Sequence, residues 1–159
     1  MTFILLGGGC IDTGPENDSG NEITTIWLIG DSTVADYSQY ENYTSERYPV
    51  TGWGQVFPQF TKGAYLIDLQ GLLQSDSVII KNRAVGGRST RTFFQEGRWR
   101  EVYESIQQGD IVLIQFGHNY ASVNKPARYV DLNGYMEFLR LYIHQSREKG
   151  ATPILITPV

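Results

Sequence analysis

The sequence contains one cysteine and two histidines among its 159 residues. With Cys10 alone, the chain can form no internal disulfide and no cysteine-based metal site, and His118 and His144 are too few for a histidine-rich one. No apolar run approaches the roughly 18 residues that a membrane-spanning helix needs. The 13 Lys and Arg residues are scattered and outnumbered by 17 Asp and Glu residues. We therefore expect no nucleic-acid partner and no transmembrane segment.

Apolar and aromatic side chains are present in quantity. Apolar residues make up 41% of the chain and charged residues 19%, which is typical of a folded globular protein whose length suits one domain. Aromatic residues make up 13% and include ten tyrosines. This composition suits a core together with a hydrated surface lined by aromatic rings, such as a sugar-binding site. Tyrosine is also common in ordinary half-buried positions.

The first 23 residues are expected to lie outside the fold. Residues 1–10 are apolar and glycine-rich, and residues 12–22 are polar. One interpretation is a clipped lipoprotein signal, with Cys10 as the lipidated residue and the polar stretch as a tether; the other is a disordered start. No Lys or Arg precedes the apolar run, which is short for a signal. The first interpretation would place the protein outside the cell or in the cell envelope.

Four short runs of apolar, largely β-branched residues predict strands. Each run is nearly continuous in apolar character, which is typical of strands covered on both faces in a parallel sheet. The first three are followed by polar turns that contain glycine. The predicted strands are Thr25–Ile29, Ser77–Asn82, Asp110–Phe116 and Thr152–Thr157.

Helical periodicity appears between these strands. Apolar side chains recur at helical spacing over residues 99–106, before Gly109, and most clearly over residues 131–149, before Gly150. The alternation of strand and helix predicts an α/β fold over residues 24–159. We expect a three-layer α/β/α sandwich with a mainly parallel sheet.

The predicted fourth strand stands at the end of the sequence, with no covering helix after it. A buried central strand seldom ends a chain, so we expect a domain that is truncated at its C-terminus. The alternative is a small complete domain with a four-stranded sheet.

The turn after the first strand carries a candidate nucleophile. Sites in open α/β sheets form beyond the carboxyl ends of the strands. Ser32 follows Gly30 and Asp31 there, and a sharp turn would expose its hydroxyl and aim backbone N–H groups into the same space. A helix starting at this point would add a positive dipole end. The alternative is that Ser32 is a plain helix cap.

The next two polar turns supply candidate hydrogen-bond donors. Gly87 could present its N–H to a ligand, or could simply satisfy a tight turn that needs positive φ. Asn119 could donate its amide to the same oxygen, or could bond its own backbone. Removing a preorganised donor of this kind costs roughly 3–4 kcal/mol of transition-state stabilisation. Because parallel strands end at one edge, we expect the three turns to meet.

Five segments, taken in order, carry a family resemblance: Thr25-Ile-Trp-Leu-Ile-Gly-Asp-Ser-Thr33, Thr51-Gly-Trp-Gly54, Asn82-Arg-Ala-Val-Gly-Gly-Arg-Ser89, Glu96-Gly-Arg-Trp99 and Gly117-His-Asn119. No single motif is specific, but the ordered set resembles the SGNH, or GDSL, hydrolases. Within those it looks most like the rhamnogalacturonan acetylesterase group. The resemblance extends over residues 24–159.

This resemblance implies a role for each of the three turns. Ser32 would be the nucleophile, and Gly87 and Asn119 would join the Ser32 N–H in an oxyanion hole. The resemblance also implies an α/β/α fold, no metal or other cofactor, and removal of acetyl groups from pectic or related plant polysaccharides. Trp53 and Arg88 fall in matching segments and are assigned no catalytic role.

The chain departs from the family at two points. The family usually continues Gly-His-Asn with Asp, where this chain has Tyr120. The family's catalytic Asp and His sit on a C-terminal segment that has no counterpart here. His118 falls in the oxyanion motif and His144 in mid-helix, so neither is expected to be the base. We predict that residues 1–159 alone hydrolyse esters poorly or not at all.

Two other functions stay open. A non-catalytic carbohydrate-binding relic would keep the groove without the base. A flavodoxin-like phosphate or flavin binder would share the sheet topology but would need a phosphate loop after the first strand, where this chain has Asp31. In the carbohydrate interpretations, we expect the tyrosine-rich loop from Tyr37 to Val50 to form one sugar-facing wall.

Overall fold

The computed structural model describes residues 23–73 and 75–158, which contain one four-stranded parallel sheet. The strands are β1 (Ile23–Gly30), β2 (Ser77–Asn82), β3 (Ile111–Gln115) and β4 (Thr152–Leu155). They lie in the order β2-β1-β3-β4, so β1 and β3 are central. Trp27, for example, stands opposite Lys81 on one side and Val112 on the other. All four strands therefore end at the same edge.

Helices cover both faces of the sheet. They are α1 (Trp53–Val56), α2 (Ala64–Leu73), α3 (Thr90–Gln95), α4 (Arg98–Ser105) and α5 (Leu132–Glu148). Two 3₁₀ segments (Tyr37–Gln39 and Phe57–Thr61) and a π-helical turn (Tyr43–Arg47) complete the list. Side chains of α3, α4 and α5 pack on one face, and those of α1 and α2 pack on the other. The predicted three-layer α/β/α sandwich is confirmed.

The alternation of side chains along β1 builds the two halves of the core. Trp27 and Ile29 point into the cluster beneath α3, α4 and α5, whereas Ile26 and Leu28 point into the cluster beneath α1 and α2. All four are at least 96% buried, since none is more than 4% exposed. Burying a large apolar side chain contributes about 1.5–3 kcal/mol, so this central strand anchors both layers.

A buried carboxylate fixes the amino-terminal edge of the sheet. Asp110 accepts hydrogen bonds from the Thr25 N–H, the Trp27 indole N–H and the Gln107 N–H, each at 2.9 Å. It is only 3% exposed. Both carboxylate oxygens of Asp110 therefore have hydrogen-bond partners. Through these bonds Asp110 holds β1 in register with β3 at the edge opposite the candidate site.

Helix α5 shows why the clearest predicted helix forms. Asp131 caps its start by accepting the Gly134 N–H at 2.7 Å, as side chains of this type do. Its inner face buries Tyr142 completely. Gly150, just beyond its end, has φ of +75°, which glycine adopts at little cost.

The sequence prediction is confirmed for every strand and for the two predicted helices. β2 has the predicted bounds, and the other strands differ by a few residues. Helices α1, α2 and α3 were not predicted. The tether hypothesis and Cys10 lie outside the described residues. Among the described residues, no helix combines the length and apolar character needed to cross a bilayer.

Candidate active site at the carboxyl edge of the sheet

The candidate site lies where β1 and β3 end side by side. The chain leaves β1 towards β2 on one side, while β3 and β4 lie on the other, and ligands of open α/β sheets bind at such a switch point. A cleft of about 350 Å³ opens there. Ser32, Gly87 and Asn119 all line it. The structure therefore brings together the three residues predicted from the sequence, while their catalytic roles stay predictions.

Ser32 sits in a tight turn directly after β1. The N–H groups of Val34 and Ala35 donate to the Asp31 carbonyl at 3.2 and 3.1 Å. The helix considered for this point is absent, because the turn is followed by a 3₁₀ segment and no α-helix begins between Ile23 and Trp53. Without a helix dipole, the polar character of the turn comes from its own N–H groups.

Asp31 ties the turn after β1 to the turn after β3. One carboxylate oxygen accepts the Thr33 N–H and hydroxyl, both at 3.0 Å. The other accepts the Gly117 N–H at 3.3 Å and the His118 N–H at 3.2 Å. Asp31 is fully buried. It therefore fixes the relative positions of the two turns that carry Ser32 and Asn119.

Gly30 permits the close approach of these two turns. A β-carbon at this position would lie 2.4 Å from the Gln115 carbonyl oxygen and 2.6 Å from Cγ2 of Val34. Gln115 is itself buried and accepts the Trp53 indole N–H at 2.5 Å. Trp53 thus supports the floor of the site by a hydrogen bond.

The turn after β2 brings Gly87 to the cleft. Its φ of +80° lies in the left-handed region, and the adjacent Gly86 lies against the Tyr37 hydroxyl, 2.8 Å from where a β-carbon would be. Arg88 also lines the cleft and is held by its own contacts: its Nη1 donates to the Gly86 carbonyl at 2.9 Å, and its Nε is 3.1 Å from Glu96. The positive φ that one interpretation of Gly87 requires is present, and donation of its N–H to a ligand stays a prediction.

Asn119 reaches across to another loop instead of bonding its own turn. Its Nδ2 donates to the Arg88 carbonyl at 3.2 Å, and its Oδ1 accepts from Nη1 of Arg128 at 3.4 Å. The side chain is 7% exposed and lines the cleft. These bonds hold the amide at the junction of the turns after β2 and β3.

An aromatic wall faces Ser32. Tyr37 lines the same cleft as Ser32. Its ring stacks on Tyr40 with centroids 5.7 Å apart, and the Arg47 guanidinium lies 4.8 Å from the centroid of the Tyr40 ring. Burial raises the pKa of Tyr37, and Tyr40 adds to the shift. The Tyr37 phenol therefore keeps its proton at neutral pH. The predicted wall is in place at the cleft, and its contact with sugar stays a prediction.

Two cleft residues, Arg47 and Arg128, were missed as site residues by the sequence analysis. Arg47 had a weak signal, because it lies within the tyrosine-rich loop. Arg128 had none, since it stands in an irregular stretch between β3 and α5 with no periodic pattern around it.

The chain is similar to two curated relatives from Bacillus subtilis (strain 168). It is 41% identical over 135 residues to the probable rhamnogalacturonan acetylesterase YesY, which covers 84% of this chain and 53% of that protein. It is 40% identical over 134 residues to the rhamnogalacturonan acetylesterase RhgT, covering 84% of this chain and 48% of that protein. The chain thus spans about half the length of the curated relatives it matches.

Among solved structures, the crystal structure of the protein YxiM from Bacillus subtilis matches with a TM-score of 0.62 and 27% identity, over 85% of this chain and 32% of that chain. No family model matches the chain. The ordered motifs, the parallel sheet and these relatives agree. They support the resemblance to the SGNH, or GDSL, hydrolases. Within these, the chain is similar to the rhamnogalacturonan acetylesterases.

Tyr120 stands where SGNH hydrolases of this group usually have aspartate. Its ring stacks on Tyr135 of α5 with centroids 4.5 Å apart, and the Tyr135 hydroxyl donates to the Phe116 carbonyl at 2.7 Å. Burial raises the pKa of Tyr135, and Tyr120 and Asp31 add to the shift. The substitution therefore gives the turn after β3 an aromatic support from α5.

The two histidines of this chain lie outside the residues that line the cleft. His144 is on the exposed side of α5, with Nε2 3.2 Å from Oε1 of Glu148. His118 has its Nδ1 3.6 Å from Oδ2 of Asp31. Both positions agree with the expectation that neither is the base, which stays a prediction.

Substituting Gly87 by alanine is expected to impair ester hydrolysis in addition to lowering the stability of the fold. An alanine in the left-handed region costs roughly 1–2 kcal/mol, and its β-carbon would lie 2.9 Å from Nη2 of Arg128. Gly97→Ala is the matched control, because Gly97 also has positive φ (+75°) but open space around it. Urea unfolding should show similar losses for both variants, whereas only Gly87→Ala should also impair ester hydrolysis. Equal activity in both variants would contradict this prediction.

Proposed function

We propose that this chain carries the nucleophile and oxyanion hole of a carbohydrate acetylesterase that acts on acetylated rhamnogalacturonan. The observation that carries the proposal is the meeting of Ser32, Gly87 and Asn119 in one cleft, on the edge where three strands of an SGNH fold end. Each comes from a different turn, and the buried Asp31 links two of those turns. Such an arrangement is costly to assemble without a function at that edge.

The chemistry follows from these positions. The Ser32 hydroxyl oxygen attacks the acetyl carbonyl, and the negative charge that develops on the carbonyl oxygen is stabilised by the N–H groups of Ser32 and Gly87 and by the Asn119 amide. The sugar hydroxyl leaves, and water then releases acetate from the acylated serine. A base must take the proton of Ser32 and pass one to the leaving sugar, and neither His118 nor His144 is proposed for that task.

Two features support a pectic substrate. The relatives YesY and RhgT are, respectively, a probable and a named rhamnogalacturonan acetylesterase. The Tyr37–Tyr40 wall offers ring faces for sugar rings, and the Arg47 guanidinium beside it suits the carboxylate of a galacturonate unit. A polymer of this kind does not enter a cell, so we also propose a location outside the cell or in the cell envelope, and a role in pectin degradation.

Acetate release tests the proposal. Residues 1–159, and any longer form that the gene encodes, are incubated with acetylated rhamnogalacturonan oligosaccharides and with acetylated xylan oligosaccharides. We expect acetate from the first substrate in preference to the second, and residues 1–159 alone to release little. Binding of the oligosaccharide without acetate release in either form would favour the carbohydrate-binding relic. Preference for xylan would reject the substrate while keeping the chemistry.

A further inference from the structure

The guanidinium of Arg128 lies against two of the three proposed oxyanion-hole residues. Its Nη1 donates to Oδ1 of Asn119 at 3.4 Å. Its Nη2 lies 2.9 Å from where a β-carbon of Gly87 would be, and its central carbon 3.1 Å from the same point. A side chain at position 87 would force the end of Arg128 to shift from this position. The positive charge therefore stands beside both the Gly87 backbone and the Asn119 amide.

The orientation of the Asn119 amide depends on this contact. An amide turned around would bring its NH₂ group towards the Arg128 guanidinium, donor against donor, and its oxygen towards the Arg88 carbonyl. With Arg128 in place, Oδ1 faces the guanidinium, and Nδ2 is left to donate. Arg128 and the Arg88 carbonyl thus together select the orientation in which Asn119 can serve an oxyanion.

The loop that carries Arg128 is held in place by its own hydrogen bonds and by α3. The Arg128 N–H donates to the Lys125 carbonyl at 2.8 Å. Arg91 of α3 donates from Nη2 to the carbonyls of Pro126 and Ala127, at 2.6 and 2.8 Å, just before Arg128. A charge held in this way needs little reorganisation when negative charge develops beside it.

The charge of Arg128 is not neutralised within the described part of the chain. Arg88, which lines the same cleft, is 3.1 Å from Glu96, and Arg98 is 2.6 Å from the same carboxylate. Among the ion pairs of residues 23–73 and 75–158, none includes Arg128. Its guanidinium is therefore available to an anionic group that enters the cleft.

We propose that Arg128 is a fourth element of the oxyanion hole, which orients the Asn119 amide and makes the hole a binding site for the carboxylate of the acetate product. The inference rests on the proposed function, because it takes acetate as the product that is left in the site. Retained acetate would compete with the next ester, so product inhibition is a direct consequence.

Titration with acetate and with its neutral isostere acetamide, followed by NMR, tests the charge without requiring turnover. Wild type is compared with Arg128→Gln, Arg128→Lys and the control Arg140→Gln, whose arginine is exposed on α5 and paired with Glu137. Arg128→Gln should weaken acetate binding about tenfold or more and acetamide binding much less, since both ligands lose the orienting contact to Asn119 but only acetate loses an ion pair. Arg128→Lys should restore part of the acetate affinity, because it keeps the charge but not the planar fork.

A kinetic readout separates the orienting role. In a form of the protein that hydrolyses esters, Arg128→Gln should lower kcat roughly 10²-fold with little change in KM, because the lost interaction belongs to the transition state. Equal weakening of acetate and acetamide, or unchanged acetate binding in Arg128→Gln, would overturn the proposal. The proposed esterase function has its own test, because it fails if Ser32→Ala leaves hydrolysis intact. The acetate titration does not require Ser32 to react, so failure of one proposal can be distinguished from failure of the other.

Discussion

Ser32→Ala is expected to abolish ester hydrolysis while leaving the fold intact. Removing the nucleophile of a serine hydrolase lowers kcat by roughly 10⁶-fold, since no other group can form the acyl intermediate. Ser32 is only half-buried, and it lines the cleft. The loss of one oxygen there should change the free energy of unfolding little. The measurement is acetate release from an acetylated oligosaccharide, in a form of the protein that turns it over.

A matched control is Ser45→Ala. Ser45 is exposed on the π-helical turn, with its hydroxyl 3.4 Å from the Asn42 carbonyl oxygen. Its substitution should leave acetate release unchanged. If Ser32→Ala retains more than a few per cent of wild-type turnover, or if both serine variants lose activity alike, Ser32 is not the nucleophile.

Asp31→Ala is expected to cause the largest loss of stability among substitutions at the site. The carboxylate is fully buried and accepts three backbone N–H groups and one hydroxyl. Each buried donor left without a partner costs about 1–3 kcal/mol. We therefore expect a loss of about 3 kcal/mol or more in the free energy of unfolding, measured by urea titration.

Asp36→Ala is the comparison for this prediction. Asp36 also accepts several hydrogen bonds, from the Ser38 N–H at 3.0 Å, the Ser38 hydroxyl at 2.6 Å and the Gln39 amide at 2.8 Å, but these contacts are exposed to water. Loss of a cap of this kind costs about 1 kcal/mol. If the two variants were equally stable, Asp31 would not be the link between the turns after β1 and β3.

The features that could be predicted from the sequence are those set by local pattern. The strands were visible because each is a near-continuous apolar run. The expected burial on both faces applies to the central strands β1 and β3. It is wrong for β2 and β4, which are edge strands with exposed side chains. Helix α5 was visible because its apolar residues recur at helical spacing and Gly150 follows it. Ser32, Gly87 and Asn119 were found because each follows a predicted strand, and parallel strands end at one edge.

The parts that could not be predicted depend on contacts between distant segments. The contact of Arg128 with Asn119 and Gly87 joins three loops, and no spacing of residues in the sequence indicates it. The helix considered for the turn at Ser32 is absent for a similar reason. The Asp31 side chain, which could have capped a helix, instead accepts the Thr33 N–H two residues on and reaches the turn after β3.

The helices α1, α2 and α3 escaped prediction for a different reason. α1 has four residues and α3 has six, too few for a periodic pattern to show. In α2, large apolar residues such as Tyr65 and Ile67 are exposed, so the sequence carries no single apolar face. Their positions are set by packing on the sheet, which local propensity does not report.

The most direct test of the account is to find which residue an active-site phosphonate ester labels. Such a reagent forms a covalent bond to an activated serine, and its tetrahedral oxygen occupies the oxyanion hole. In the active form of the protein, peptide mass spectrometry should place the label on Ser32, and Asn119→Ala should slow its formation. A label on any other residue, or equal labelling of Ser32→Ala, would contradict the central claim that Ser32 is the nucleophile of this cleft.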